Sequence, residues 1–472
     1  MKTEIKMKKL LLIAFLFAAS IFTNCAQFSK LLDFSSIPSG SGPYGSFISD
    51  GTFLYGMTYF GGANDLGVIF KIMPDGSSYS KLLDFSGPAN GSNPYGSLFY
   101  DGTFLYGMTR NGGTNSLGVI FKIMPDGSGF TKLLDFSGTL NGANPRGSLI
   151  PVGNYLYGTT SMGGTNNMGV VFKIMPNGTG FSKLLDFSGT ANGNDPFGSL
   201  YYDGTFLYGM TALGGTGTCQ FNCGVLFKIM PDGSGFSKLL DFAGVSNGSH
   251  PRGSLISDGI FLYGMTQNGG NSDMGVIFKI MADGSGYSKL FDFSGTADGS
   301  FLFGSIISSG LFLYGVTSSG GANGMGTIFK IKSDGSSFSK LFDFSGLDGA
   351  NPYCSLFSDG SSLYGMSSSG GMNGNGIIFK YQLLTTGIEK TTAGAGVILY
   401  PNPGNGVVTL QLTAPDSQIS ALEIYNVTGE KVFQSTINNY ASIDLSLQPV
   451  GIYSILIKSG EKVFHQKIIK IN

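Results

Sequence analysis

Residues 96–136 read GSLFYDGTFLYGMTRNGGTNSLGVIFKIMPDGSGFTKLLDF, and variants of this stretch recur through most of the 472-residue chain. Its LYG tyrosine returns as Tyr55, Tyr106, Tyr157, Tyr208, Tyr263, Tyr314 and Tyr364, at spacings of 51, 51, 51, 55, 51 and 50 residues. A period of this size marks a repeat architecture in which each copy is one supersecondary unit. Four strand-like segments fit within the quoted copy: 96–100, 103–109, 119–123 and 130–136. Asp101-Gly102 and Pro125-Asp126-Gly127 separate them as turns, because glycine takes a positive φ without steric cost. Four short strands per copy are what a propeller blade requires.

The ends of the array sharpen this reading. The KLLDF or KLFDF segment begins at Lys30, Lys81, Lys132, Lys183, Lys238, Lys289 and Lys340. Its first copy precedes the first three-strand unit, and none follows the last, where Phe379-Lys380-Tyr381 runs into a linker. Residues 28–34 are therefore expected to complete the blade built from residues 354–381. An open solenoid has no need of that offset and would carry atypical capping repeats. The expected fold is all-β: a seven-bladed β-propeller over 27–381, closed by its N-terminal strand. The longer loops, such as 109–118 and 137–145, then share one face, and recognition normally sits on long loops held by a rigid scaffold.

Composition agrees with an exported, strand-rich protein. There are 76 glycines, only 12% charged residues and 42% apolar residues. The glycines recur at fixed repeat positions beside apolar runs, so they read as turns, not disorder. Lys2, Lys6, Lys8 and Lys9 precede an apolar run from Leu10 to Phe22, the pattern of a signal peptide over 1–26. Cleavage is expected between Ala26 and Gln27, with a cut after Ser20 as the alternative. Cys25 lacks the small preceding residue that lipidation wants. The apolar run is too short for a permanent anchor, so the mature chain is expected to have no transmembrane segment. Loss of these residues, with four Lys and one Glu, lowers the net charge from −1 to −4. With no basic stripe, nucleic acid is not an expected partner.

Cys219 and Cys223 fall in the insertion that stretches one repeat to 55 residues, and in an exported chain they are expected to form a local disulfide. A metal site there lacks any nearby histidine. Cys354 replaces a glycine of the other copies and is expected to be a buried free thiol.

The order LYGMT, GG, an Asn-rich stretch and GVIFKI resembles the GloVer-type tandem repeat of bacterial exported proteins over residues 28–381. The resemblance implies a propeller-like array and names no ligand or reaction. Tyr400-Pro401-Asn402-Pro403 with Gly406, then Gly429, Gly451 and Tyr453, is similar to a type IX secretion C-terminal sorting domain (type A) over 397–472. Alternation at Val408, Leu410 and Leu412, and again at Leu422 and Ile424, independently reads as a small antiparallel β-sandwich. By that likeness the partner is the type IX machinery, which carries the chain from periplasm to the cell surface or beyond. Residues 382–396, rich in Thr, Gly and Ala, are expected to be a cleavable linker.

Chemistry is sparse. His250 and His465 are the only histidines, which excludes a His-dependent triad or multi-histidine metal site within the repeats. The aspartates of the KLLDF segments occur in every copy and read as scaffold. No catalytic residue and no cofactor are expected. Calcium through Asp195, Asp298 or Asp348 lacks a proper ligand series. The informative variation lies at the start of each innermost strand: Tyr44, Tyr95, Arg146, Phe197, Arg252, Phe303 and Tyr353. On a closed ring these would encircle the channel mouth. Aromatics and arginine suit sugars and acidic groups, and packing between blades is the competing reading. The pairs before each GG vary too: Tyr59-Phe60, Arg110-Asn111, Ser161-Met162, Ala212-Leu213 and Gln267-Asn268. The leading expectation is a non-enzymatic surface module binding a glycan, peptide or surface polymer. The rivals are a polysaccharide hydrolase or lyase and a structural adhesin or spacer.

Overall fold

The computed structural model describes residues 27–217, 219, 223–383, 397–400, 407–412, 420–426, 430–437, 440–459 and 462–470. The expected signal segment with Ala26, nearly all of the expected linker, and Pro401, Asn402, Pro403, Gly406 and Gly429 lie outside the described residues. The chain divides into two compact units, Met1–Leu384 and Thr385–Asn472. Among the described residues there is no helix.

The larger unit consists of seven antiparallel sheets, one per repeat, and its folds are β-propeller-like. In the second repeat the strands are Phe99–Tyr100, Leu105–Thr109, Val119–Ile123 and Thr131–Asp135, in sequential order. The two middle strands are buried on both faces apart from the half-buried Lys122, so they read as largely apolar runs, not as alternation. The third strand has the bounds read from the sequence. The first is cut from five residues to two, because the Ser97 amide leaves its own sheet and donates to Ser148 Oγ of the next at 2.8 Å.

That bond recurs. Ser46 donates to Ser97, Ser97 to Ser148, Ser148 to Ser199, Ser199 to Ser254, Ser254 to Ser305, Ser305 to Ser355, and Ser355 back to Ser46, each amide to hydroxyl at 2.7–2.8 Å. Neighbouring backbones approach so closely here that a Cβ on Gly198 would sit 2.2 Å from the Gly253 carbonyl oxygen. Close approach thus accounts for the glycine before six of the seven serines. The seventh position holds Cys354, a buried free thiol whose sulfur accepts from the Met366 amide.

The seventh sheet takes its outer strand from the other end of the chain. Phe28–Asp33 pairs antiparallel with Ile377–Gln382, with Ser29 opposite Lys380 and Asp33 opposite Ile377. Phe28 stacks on Phe342 at 3.9 Å, and Phe34 is fully buried in a core with Phe47, Phe70 and Tyr364. The fourth sheet has an additional strand, Asn194–Pro196, which pairs with Leu207–Leu213.

The repeated charges have local tasks. Each KLLDF lysine pairs with the aspartate three residues on, at 2.6–2.9 Å. Asp84 Oδ1 also accepts the Ala63 amide beyond the GG turn, and Asp135 and Asp343 repeat this with Thr114 and Ala322. Lys71, Lys122 and Lys228 each place Nζ 4.5–4.7 Å from the ring of Phe53, Phe104 or Phe206. Several LYG tyrosines donate to the aspartate of the first turn, as Tyr55 does to Asp50 at 2.7 Å.

The smaller unit holds two antiparallel sheets. One joins Val397–Tyr400, Val407–Leu412 and Tyr440–Asp444; the other joins Lys431–Ile437, Ser420–Tyr425, Gly451–Ser459 and Lys462–Lys470. Val408, Leu410 and Ile443 of the first share one core with Leu422, Ile424 and Ile457 of the second. Gly451 opens a strand, and the Tyr453 hydroxyl donates to the Pro449 carbonyl.

Candidate functional site

Tyr44, Tyr95, Arg146, Phe197, Arg252, Phe303 and Tyr353 line a single cavity open to solvent, together with the glycines and serines that follow them. The backbone explains the convergence. Two residues before each of them, the chain adopts a left-handed conformation, with φ of 52–58° at Gly42, Asn93, Asn144, Asp195, His250, Phe301 and Asn351. Asparagine tolerates that region well. Here it also ties sheets together: Asn93 Nδ2 donates to the Tyr59 carbonyl, and Asn144 Nδ2 to the Arg110 carbonyl, both at 3.0 Å. The turn then delivers the next side chain but one to the cavity.

The seven side chains touch one another. Tyr44 stacks on Tyr95 with centroids 4.8 Å apart and leans on Tyr353 at 5.3 Å. Phe303 meets Tyr353 edge-on at 4.7 Å, and Tyr95 meets Phe197 edge-on at 5.2 Å. Phe197 is sandwiched between two cations, with Arg146 and Arg252 each 4.6 Å from its centroid. Phe197 is 6% exposed, so it is mainly a packing element; the other six are half-buried and keep surface on the cavity.

The chain contains three arginines in all, Arg110, Arg146 and Arg252, and every one belongs to this neighbourhood. Arg146 Nη1 pairs with Asp195 at 3.2 Å. Asp195 stands where three other copies have an amide donor to the neighbouring sheet, and as a carboxylate it accepts from Arg146 instead. Arg252 donates through Nε to Gln267 Oε1 and also lies 5.3 Å from the Phe303 centroid. Arg110 Nη1 donates to the Tyr59 hydroxyl at 2.8 Å, while its buried Nε has no partner among the described residues. Tyr59 in turn packs edge-on against Tyr44 and Tyr95.

Burial sets the electrostatics. It lowers the pKa of Arg252, with Asp195 opposing the shift. It pushes the hydroxyls of Tyr44 and Tyr95 up, with each reinforced by a neighbouring tyrosine. Burial, and then Arg252, hold the His250 imidazole below its usual value.

Three members of this site were visible in the sequence only as variable positions before GG. Tyr59, Arg110 and Gln267, the first members of their pairs, turn to the mouth. The second members Phe60 and Met162 point outward and are 42% and 41% exposed. Of the other acids considered for calcium, Asp298 accepts the Ser294 amide and Asp348 accepts from the Ser345 hydroxyl. Among the described residues no three His, Cys, Asp or Glu side chains are grouped to hold a metal ion. A disulfide joins Cys219 to Cys223, with Cα atoms 5.3 Å apart.

Among solved structures, an extracellular domain assigned to a one-component system of B. thetaiotaomicron is similar at 12% identity and TM-score 0.50. The match covers 95% of this chain and 59% of that one. The extracellular domain of a hybrid two-component system from the same organism gives 12% identity and TM-score 0.44, over 94% and 57%. An ancestral GH74 enzyme gives 12% and 0.48, over 74% and 48%. This chain thus spans under two thirds of each of these chains, and the first likeness speaks to fold alone. No curated protein sequence matches. The Gloeobacter/Verrucomicrobia repeat matches residues 16–150, 100–261 and 219–400, and the secretion system C-terminal sorting domain matches 398–472. The sorting domain, of the type IX system, marks the protein for secretion to the cell surface or extracellular space. No helix among the described residues is long and apolar enough to cross a membrane. The chain belongs to the Gloeobacter/Verrucomicrobia repeat family and carries a type IX sorting domain at its C-terminus.

Proposed function

We propose that the repeats form a seven-bladed β-propeller closed by its N-terminal strand, acting outside the cell as a binding module for a glycan, peptide or surface polymer. In this reading residues 1–26 are a signal peptide cut before Gln27, 27–381 the propeller and 382–396 a linker. Residues 397–472 are then a β-sandwich handled by the type IX machinery. The serine hydrogen bonds that return to Ser46 support closure. One observation carries the binding reading: seven equivalent positions at which near-identical copies differ line one cavity. Conserved geometry with varied side chains is how a rigid scaffold presents a recognition surface.

The Tyr44–Tyr95 stack favours a second reading, a spacer whose ring is filled by its own packing. A glycan array probed with the purified full chain, run beside polysaccharide degradation assays, decides between them. Binding by the wild type that weakens in Arg146→Ala and Arg252→Ala supports the module. No binding to any polymer supports the spacer, and turnover of a polymer refutes the non-enzymatic reading.

A further inference from the structure

Three guanidinium groups meet one carboxylate at the mouth. Among the described residues Asp195 is the only acid within ion-pair distance of an arginine. Two positive charges therefore stand unmatched there, in a chain whose overall formal charge is −1. Their donors are not consumed by the protein either. Arg252 uses Nε on Gln267, and its terminal nitrogens donate to no described residue; the buried Nε of Arg110 likewise has no partner among the described residues. An unmatched, half-buried guanidinium is costly unless something supplies acceptors. Packing alone does not call for arginine here, because phenylalanine or tyrosine fills the equivalent position in the other five copies.

The surroundings narrow the ligand. Half-buried faces and edges of Tyr44, Tyr95 and Tyr353 border the same cavity, and aromatic surface beside hydrogen-bonding hydroxyls suits the C–H face of a sugar ring. A peptide would be recognised largely through main-chain hydrogen bonds. The serine amides that line this cavity are already spent on the serine circuit. The planar guanidinium fork suits a carboxylate or sulfate in a bidentate manner.

Resting on the binding-module reading, we propose that the mouth is a subsite for an acidic sugar unit, its carboxylate or sulfate held by Arg252 and Arg146 and its ring set against the tyrosines. Arg110 holds Tyr59 in position through its hydroxyl and adds to the positive field.

The test is titration of the purified full chain with polygalacturonate, dextran sulfate, neutral dextran and polyglutamate. Polygalacturonate and dextran sulfate tell which acid group is taken. Wild type should bind at least one of these two, and Arg252→Gln should weaken that binding at least about tenfold, the loss of one charge-assisted contact. Arg252→Lys, which keeps the charge but not the fork, should fall between them. Unchanged affinity in the Arg146→Gln, Arg252→Gln double variant overturns the inference. Should that variant fail to fold by circular dichroism, the wild type decides: affinity that stays flat from about 0.05 to 0.5 M salt also overturns it. Equal binding to polyglutamate overturns the assignment to sugar. Binding of neutral dextran with no acidic glycan bound overturns the inference while leaving the module reading intact. Binding of none of the four overturns the inference, and the glycan array then decides the module reading.

Discussion

A covalent bond across the seam puts closure to direct test. Ser29 on the first strand faces Lys380 on the last strand of the seventh sheet. Opposed residues of an antiparallel pair have Cα atoms about 4.5 to 5.5 Å apart, within the range a disulfide spans. The double substitution Ser29→Cys, Lys380→Cys should therefore oxidise spontaneously. The bond would close a loop of 352 residues. In the chain-entropy treatment such a loop stabilises by about 6 kcal/mol. Loss of the Lys380 ammonium, which lies 5.4 Å from the Tyr364 ring, offsets about 0.5–1 kcal/mol. The remaining ~5 kcal/mol is spread over the 357 residues from Gln27 to Leu383. At about 2.1 cal/mol/K of unfolding entropy per residue, it raises Tm by about 7 °C. The assay compares oxidised and reduced protein by gel mobility and by thermal melting, with each single cysteine as control. Absence of a cross-link, or a cross-linked protein that melts no higher than its reduced form, would refute the reasoning.

Three more outcomes are expected. Gly198→Ala places a methyl 2.2 Å from the Gly253 carbonyl oxygen and should cost about 3 kcal/mol, or about 4 °C in Tm, so an unchanged melt contradicts the close approach. Burial, followed by Asp101, pushes the Tyr106 hydroxyl up to about 12, and burial with Asp258 does the same to Tyr263. Unfolded tyrosine ionises near ~10, so this contribution is complete below about pH 10 and lost as pH rises towards 12. Urea midpoints should fall over that window, less steeply in Tyr106→Phe, and a slope identical in the variant speaks against the shift. Removal of residues 397–472 should leave the protein in the periplasm, as fractionation and surface proteolysis would show; efficient export of the truncated chain contradicts the sorting role.

The repeat pattern made the sheets legible because each strand carries its own local signal. The buried run Val119–Ile123 could be bounded from sequence alone. The first strand could not, since its length depends on the Ser97 amide turning to a partner 51 residues away. The convergence of Tyr44, Tyr95, Arg146, Phe197, Arg252, Phe303 and Tyr353 followed from their equivalent repeat positions. Their mutual contacts did not. Nothing in sequence spacing says that Phe197 lies between two arginines, or that Asp195, an acid considered for calcium, instead pairs with Arg146. Tyr59 and Arg110 were seen to vary, yet their reach into the mouth depends on side-chain direction at a strand end.

The serine circuit has a consequence for how such a molecule changes over generations. Each serine gives its amide to one neighbour and its hydroxyl to the other, and all seven links are chemically alike. A unit inserted or lost between any two would find the same donor and acceptor waiting. The copies therefore hold no record of how many of them there should be. That number is checked at the seam, where Phe28–Asp33 meets Ile377–Gln382 and Ser355 meets Ser46, segments distant in the chain. Duplication within the array is locally invisible, and the meeting of the two ends is where a miscount would be felt.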